Sequence, residues 1–180
     1  GSTALGANTT GTYNTAFGRD TLDANTTGTA NTALGAAALG ANTTAGSNTA
    51  VGFAAMEANT TGANNTALGR GSLGSNLTAD NNVAVGYLAL NLNTTGSECT
   101  AIGTTALDAN TTGASNTAVG ESALRLSTTA SFNTAVGANA LNQTTTGQYN
   151  AAFGYNAADS ITTGQKNTAI GIGAGGGVTT

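Results

Sequence analysis

Few side chains in this sequence can do chemistry, and their types and spacing limit which chemistry is open to it. Cysteine occurs once, as Cys99, and histidine not at all. A lone thiol can react or cross-link, but no His or basic cluster flanks Cys99 to lower its pKa, so it reads as a small buried substitute. With no His and a single Cys, a transition-metal site lacks its usual ligands. Asp20, Asp23, Asp80, Asp108 and Asp159 are too scattered for the calcium cages of aspartate-rich β-helix repeats. No glycine leads into the Gly-Lys-Ser/Thr of a phosphate loop. The triplet Asn-Thr-Thr at Asn8, Asn25, Asn42, Asn59, Asn93 and Asn110 fits the N-glycosylation sequon, and turn chemistry repeated along the chain explains it better. Stacked threonine hydroxyls are one route to ice binding, but adjacent turn threonines point in different directions. The expectation is therefore a protein that is not an enzyme, with no catalytic, cofactor-binding or metal-binding residue and no cofactor.

What must position these residues is a repeat. A glycine recurs at 1, 18, 35, 52, 69, 86, 103, 120, 137, 154 and 171, a step of 17 residues without insertion or deletion. Two residues before it stands Ala in every copy, from Ala16 to Ala169, and between them a large apolar residue such as Phe17, Leu34, Val51 or Ile102. Four residues after the glycine comes a leucine column, Leu5 to Leu141, with Met56 as its one variant, weakening to Ala158 and Gly175. The consensus reads G-x-x-A-L-x-A-N-T-T-G-x-x-N-T-A-V. A locked period means that each unit meets the same surroundings, stacked on its neighbours. A helix of useful length would be broken by the Thr-Thr-Gly and Gly of every copy. Each unit instead offers a short strand, N-T-A-V-G, a second short extended piece around A-L, and A-N-T-T-G as a turn, where Asn and Gly accept left-handed conformations. This predicts an all-β fold, a parallel β-solenoid of about ten 17-residue coils. At about 4.8 Å per coil it forms a rod roughly 50 Å long, with Asn and Thr stacked as ladders.

Composition agrees with a backbone-dominated architecture. Charged residues make up 7% and aromatics 4%, far below the roughly 25% charged residues of ordinary domains, and most apolar residues are Ala. The net charge is −4, and the four basic residues, Arg19, Arg70, Arg125 and Lys166, form no nucleic-acid footprint. No apolar run is long enough to span a bilayer, and no signal peptide is visible. The chain opens in mid-pattern at Gly1 and is read as a piece of something longer.

Sorting residues by repeat position separates two kinds of column. All twelve charged residues occupy five columns: the two after the closing Gly, the one after Leu, and the two before the strand Asn. Tyr13, Phe53, Tyr87, Phe132, Tyr149 and Tyr155 fall in two of these. These varying columns are expected at the solvent face, and the constant ones in core and contacts. Alternation along the strand places Thr15 with Phe17 on one face, and Asn14, Ala16 and Gly18 on the other. The Val and Leu columns are expected to share the core face, leaving the smooth Asn-Ala-Gly face for a partner. A thin roll burying so little would be marginal alone, which points to oligomerisation.

Units of this form, such as Asn14–Gly18, Asn31–Gly35 and Asn48–Gly52 repeated to Asn167–Gly171, resemble the head repeats of trimeric autotransporter adhesins. They are closer still to a long-repeat variant in phage and prophage tail-fibre proteins and bacterial surface fibres. The resemblance spans 1–171 and has few departures, notably Cys99 for the strand Asn, Val83 and Ala151 for the strand Thr, and Ser127, Thr144 and Ile161 for the turn Asn. Residues 172–180 are read as a degenerate last coil or the start of a cap or neck. The resemblance implies a left-handed β-roll, a homotrimer, and an extracellular place on a cell surface or virion tail fibre. It also implies a spacer and adhesive role with a cell-surface or glycan receptor, and carries no catalytic residues. The expected partners are further copies of the chain, as a trimer and also end to end, with neither nucleic acid nor membrane insertion. Two other readings stay open: a purely structural extracellular filament or sheath protein, and an ice-binding solenoid.

Overall fold

In the computed structural model the described residues are 2–177 and 179; Gly1, Val178 and Thr180, which the repeat and its last coil include, lie outside them. Each 17-residue unit contributes one three-residue strand, from Thr15–Phe17 to Thr168–Ile170. The ten strands form one parallel sheet in chain order, every neighbour one repeat away. Register follows the repeat: Thr15 pairs with Thr32, Ala16 with Ala33 and Phe17 with Leu34, and so on along the rod. Among the described residues there is no helix. The expected parallel β-solenoid is the fold, with ten strands joined by nine turns.

The A-L stretch is not a second strand. It is a run of overlapping turns: Ala38 N–H donates to Gly35 O, Gly40 N–H to Ala37 O and Asn42 N–H to Leu39 O. Of the two central residues in each of the first two turns only the second has positive φ, as in a type II turn. These are Ala37 at 59° and Leu39 at 52°, and their counterparts repeat along the chain. Periodicity of apolar residues cannot distinguish such turns from an extended segment. Leucine in the left-handed region costs roughly 1–2 kcal/mol. The geometry persists because Leu39 N–H reaches Ala55 O of the next coil at 3.0 Å while its side chain is fully buried. The left-handed residues therefore sit two and four places after the closing Gly and one before the strand Asn, not at the A-N-T-T-G turn. At the turn glycines space is tight, a Cβ on Gly62 lying 2.3 Å from Ala79 O, yet Ala45, Ala79 and Ala130 fill the same column in other coils.

The interior is lined by three kinds of column. Leu22 through Leu141 are buried, and so are the alanines before them and those of the strands, Ala33 through Ala169. Two asparagine columns are buried with them. In the turn column, Asn42 donates its amide to Asn25 Oδ1 and to Ala45 O; Asn59 does the same to Asn42 Oδ1 and Gly62 O, each at 2.9–3.1 Å. In the strand column, Asn48 N–H donates to Asn31 Oδ1 and Asn48 Nδ2 to Gly62 O in the next coil. Buried carboxamides are thus paired by their own copies, which is how a polar core stays satisfied.

Alternation along the strand holds, but its two faces are the reverse of the expectation. Ala, not Val, faces inward. The aliphatic column faces out, because a coil only 17 residues long already fills its interior with one Leu, two Ala and two Asn, and has no room for a second large side chain. The Asn-Ala face is core, so it is not a partner surface.

Candidate functional site

Three surfaces follow from this arrangement. The first is the outward strand face. It carries the strand Thr column and beside it Phe17, Leu34, Val51, Leu68, Val85 and their successors up to Ile170. Leu34 and Leu68 expose 45% and 46% of their surface, Ile102 39%, and the valines are half-buried. Every coil repeats this, so a continuous apolar strip runs along the sheet. Isolated exposed apolar residues need no explanation, but a contiguous strip of this length calls for one.

The second surface comprises the columns that vary. The aromatics singled out by the repeat are all exposed: Tyr13, Phe53, Tyr87, Phe132, Tyr149 and Tyr155. In-register stacking brings copies in adjacent coils together. Phe132 and Tyr149 stack with ring centres 5.1 Å apart and planes within 1°. Arg70 places its guanidinium 5.8 Å from the ring centres of both Phe53 and Tyr87, cation–π contacts of about 0.5–1 kcal/mol each at exposed sites. The column positions alone predict both clusters, since partners one coil apart share a column. Arg19 bonds its neighbour Asp20 at 3.3 Å, a surface pair of little energetic weight.

An open hollow of about 320 Å³ lies on the turn side, with Ala37, Gly40 and Ala41 as its floor and Asp20, Asp23 and Glu57 around it. It exists because this coil's turn residues are all small. Among the described residues no group of three or more His, Cys, Asp and Glu is placed to hold a metal ion. Asp108 is pushed above the usual carboxylate range by partial burial, an effect that Arg125 in the next coil partly offsets.

The third surface is the turn edge. The Asn of the Asn-Thr-Thr triplet is buried from Asn25 to Asn110, with its amide donated inward, so in the folded chain these asparagines are ladder rungs. A glycosylation acceptor needs that amide free. The first Thr of the triplet returns its hydroxyl to the backbone, and the second faces solvent.

Cys99 takes the place of a strand Asn and reproduces part of its bonding. Its N–H makes the usual ladder contact, donating to Asn82 Oδ1 at 2.9 Å, and its Sγ lies 3.4 Å from Gly113 O, where an Asn amide would reach. It is 1% exposed. Burial pushes its thiol pKa up, more than the N–H groups of Asn116 and Ser115 pull it down. A raised pKa in a closed core describes an inert structural thiol.

No model of a known protein family matches the chain, and neither a curated protein nor a solved structure does.

Proposed function

We propose that this chain is a segment of a structural fibre in which three copies pack about one axis through their outward strand faces, projecting an adhesive surface outside the cell or from a virion tail. The apolar strip running the length of the sheet carries this reading. Each coil buries one large side chain, worth about 1.5–3 kcal/mol, against the ordering of 17 residues. A partner covering the strip supplies the burial that the roll lacks. The number three rests on the resemblance to trimeric adhesin heads. The role is mechanical: a rigid rod sets distance, and the exposed aromatics and charges of the varying columns offer contacts to a cell-surface or glycan receptor. The mass of the native particle, measured by light scattering, tests the reading. Three times 17.2 kDa is expected, and a monomer at micromolar concentration overturns it.

A further inference from the structure

Two threonine columns run side by side along the turn edge, and only one has an internal reason to be threonine. In the first, Thr9, Thr26, Thr43, Thr60, Thr94 and their successors donate their hydroxyls to the carbonyl one coil ahead, at 2.9–3.3 Å. That column still admits Leu77. The second runs Thr10, Thr27, Thr44 and onward to Thr163, threonine in ten coils out of ten. All ten are exposed, and their hydroxyls make no hydrogen bond to any described residue.

Repetition of the unit does not by itself hold an exposed column constant in this chain. The column after the closing Gly runs Arg19, Ala36, Phe53, Arg70, Tyr87, Thr104, and the one before the strand Asn varies as widely. A backbone demand for branching at Cβ would admit Val or Ile, and neither occurs in the second threonine column. Methyl and hydroxyl are both kept, on the surface, in every coil, along about 43 Å at ~4.8 Å per coil.

We propose that this column is a lateral seam: a second copy of the same solenoid lies alongside, threonine ladder against threonine ladder, joining fibres side by side. A receptor touching one patch would need two or three constant coils and would leave the rest to drift. Constancy in every coil calls for a partner with the same repeat distance, and another copy of this chain has it by construction. Facing threonine rows interlock their methyls and pair their hydroxyls, the contact that identical ladders make between stacked sheets. The adjoining column, Gly28, Ala45, Gly62, Ala79, Gly96, is uncharged and small, so two edges can approach closely. This seam is separate from the strand face. It builds on the fibre reading only in naming what is joined.

Light scattering and electron microscopy of the full chain over rising concentration test it. Particles that are whole multiples of the basic unit, lying side by side, are expected. The pair Thr78→Lys and Thr95→Lys, which places charge in mid-seam, should cut the bundled fraction at least tenfold and leave the basic unit's mass unchanged. The pair Thr78→Ala and Thr95→Ala, which removes only surface atoms, should give a several-fold loss and serves where lysine disturbs the coil. Bundles that persist in both pairs overturn the seam. So does a wild-type chain that never bundles, including one that instead lowers the freezing point with thermal hysteresis, which would assign the column to ice. A basic unit that proves monomeric sinks the trimer, while the seam is still judged by the variants.

Discussion

Asn110 is the last asparagine of the turn ladder, and Ser127, one coil above, leaves it without a partner. The Asn110 carboxamide oxygen and the Ser127 hydroxyl are both buried, and neither meets a hydrogen-bonding group. Below this point each Asn oxygen receives the amide of the next coil, as Asn93 Oδ1 does from Asn110 at 2.8 Å. Serine is too short to reach. Ser127→Asn should return a donor to Asn110 and leave one buried orphan, the new Oδ1, in place of two, because the Thr144 hydroxyl above already donates to Ile161 O at 3.1 Å. A gain of about 1 kcal/mol is expected in chemical denaturation, with unchanged m-value.

In mid-ladder the same logic runs the other way. Asn59→Leu keeps the size but strands Asn42 Oδ1 and one N–H of the Asn76 amide, while Gly62 O keeps the Asn48 amide. With each orphan costing about 1–3 kcal/mol, a loss of at least about 2 kcal/mol is expected in the same measurement.

Ala84 and Val85 are neighbours on opposite faces, and their variants should fail differently. Ala84 is fully buried, so Ala84→Leu overpacks the roll of a single chain and costs about 1–3 kcal/mol of its own stability. Val85 faces outward, so Val85→Asp should cost the isolated chain less than about 1 kcal/mol while dissociating the particle. Circular dichroism melting alongside light scattering separates the two. A particle of unchanged mass with Val85→Asp would remove the strand face as the interface.

Cys99 should resist iodoacetamide in the native chain and react on unfolding. Its folded pKa lies above the unfolded one, so stability is complete below the ordinary thiol range, about 8.5. It is lost as pH rises through that range towards the folded pKa, because the unfolded thiol ionises first. Cys99→Ser should flatten this alkaline loss in pH-dependent melting.

Glycine is required at some positive-φ positions and merely tolerated at others. Gly86 has φ of 134°, and a Cβ there would meet Gly103 O at 2.6 Å. Gly86→Ala should cost at least about 2 kcal/mol. Ala54 has φ of 54° with its methyl already accommodated. Ala54→Gly should leave the melting curve unchanged or raise stability by about 0.5 kcal/mol, relief of the left-handed backbone offsetting the added chain entropy.

The period was legible because Gly18, Ala33 and Leu39 each recur in one environment, and a 17-residue step without slippage has few structural solutions besides stacked coils. The asparagine ladders followed from the same stacking. The direction of the strand did not. Phe17 and Ala16 alternate whichever way the sheet faces, and the preference for large residues inside pointed the wrong way. Only the limited volume of the coil, already filled by Leu39 and Asn42, turns Val51 outward. The turns around Leu39 were hidden for a different reason: leucine seldom takes positive φ, so nothing in its identity announces it. The constant Thr10 column was visible as a pattern, but its exposure was not, and exposure is what makes its constancy informative.

Each coil of this rod touches only the one before and the one after, always through the same register. Length is therefore an independent variable. Deleting or duplicating a whole 17-residue unit leaves every remaining contact of the same kind and changes the reach by one coil, about 4.8 Å. Gain or loss of a single residue just before Ala84 would put Ala84 where Val85 stands and set core against surface in that coil, breaking its register with both neighbours. A gene encoding such a chain can measure distance in unit steps by recombination between near-identical repeats, so the fold works as a graduated ruler whose markings are the closing glycines.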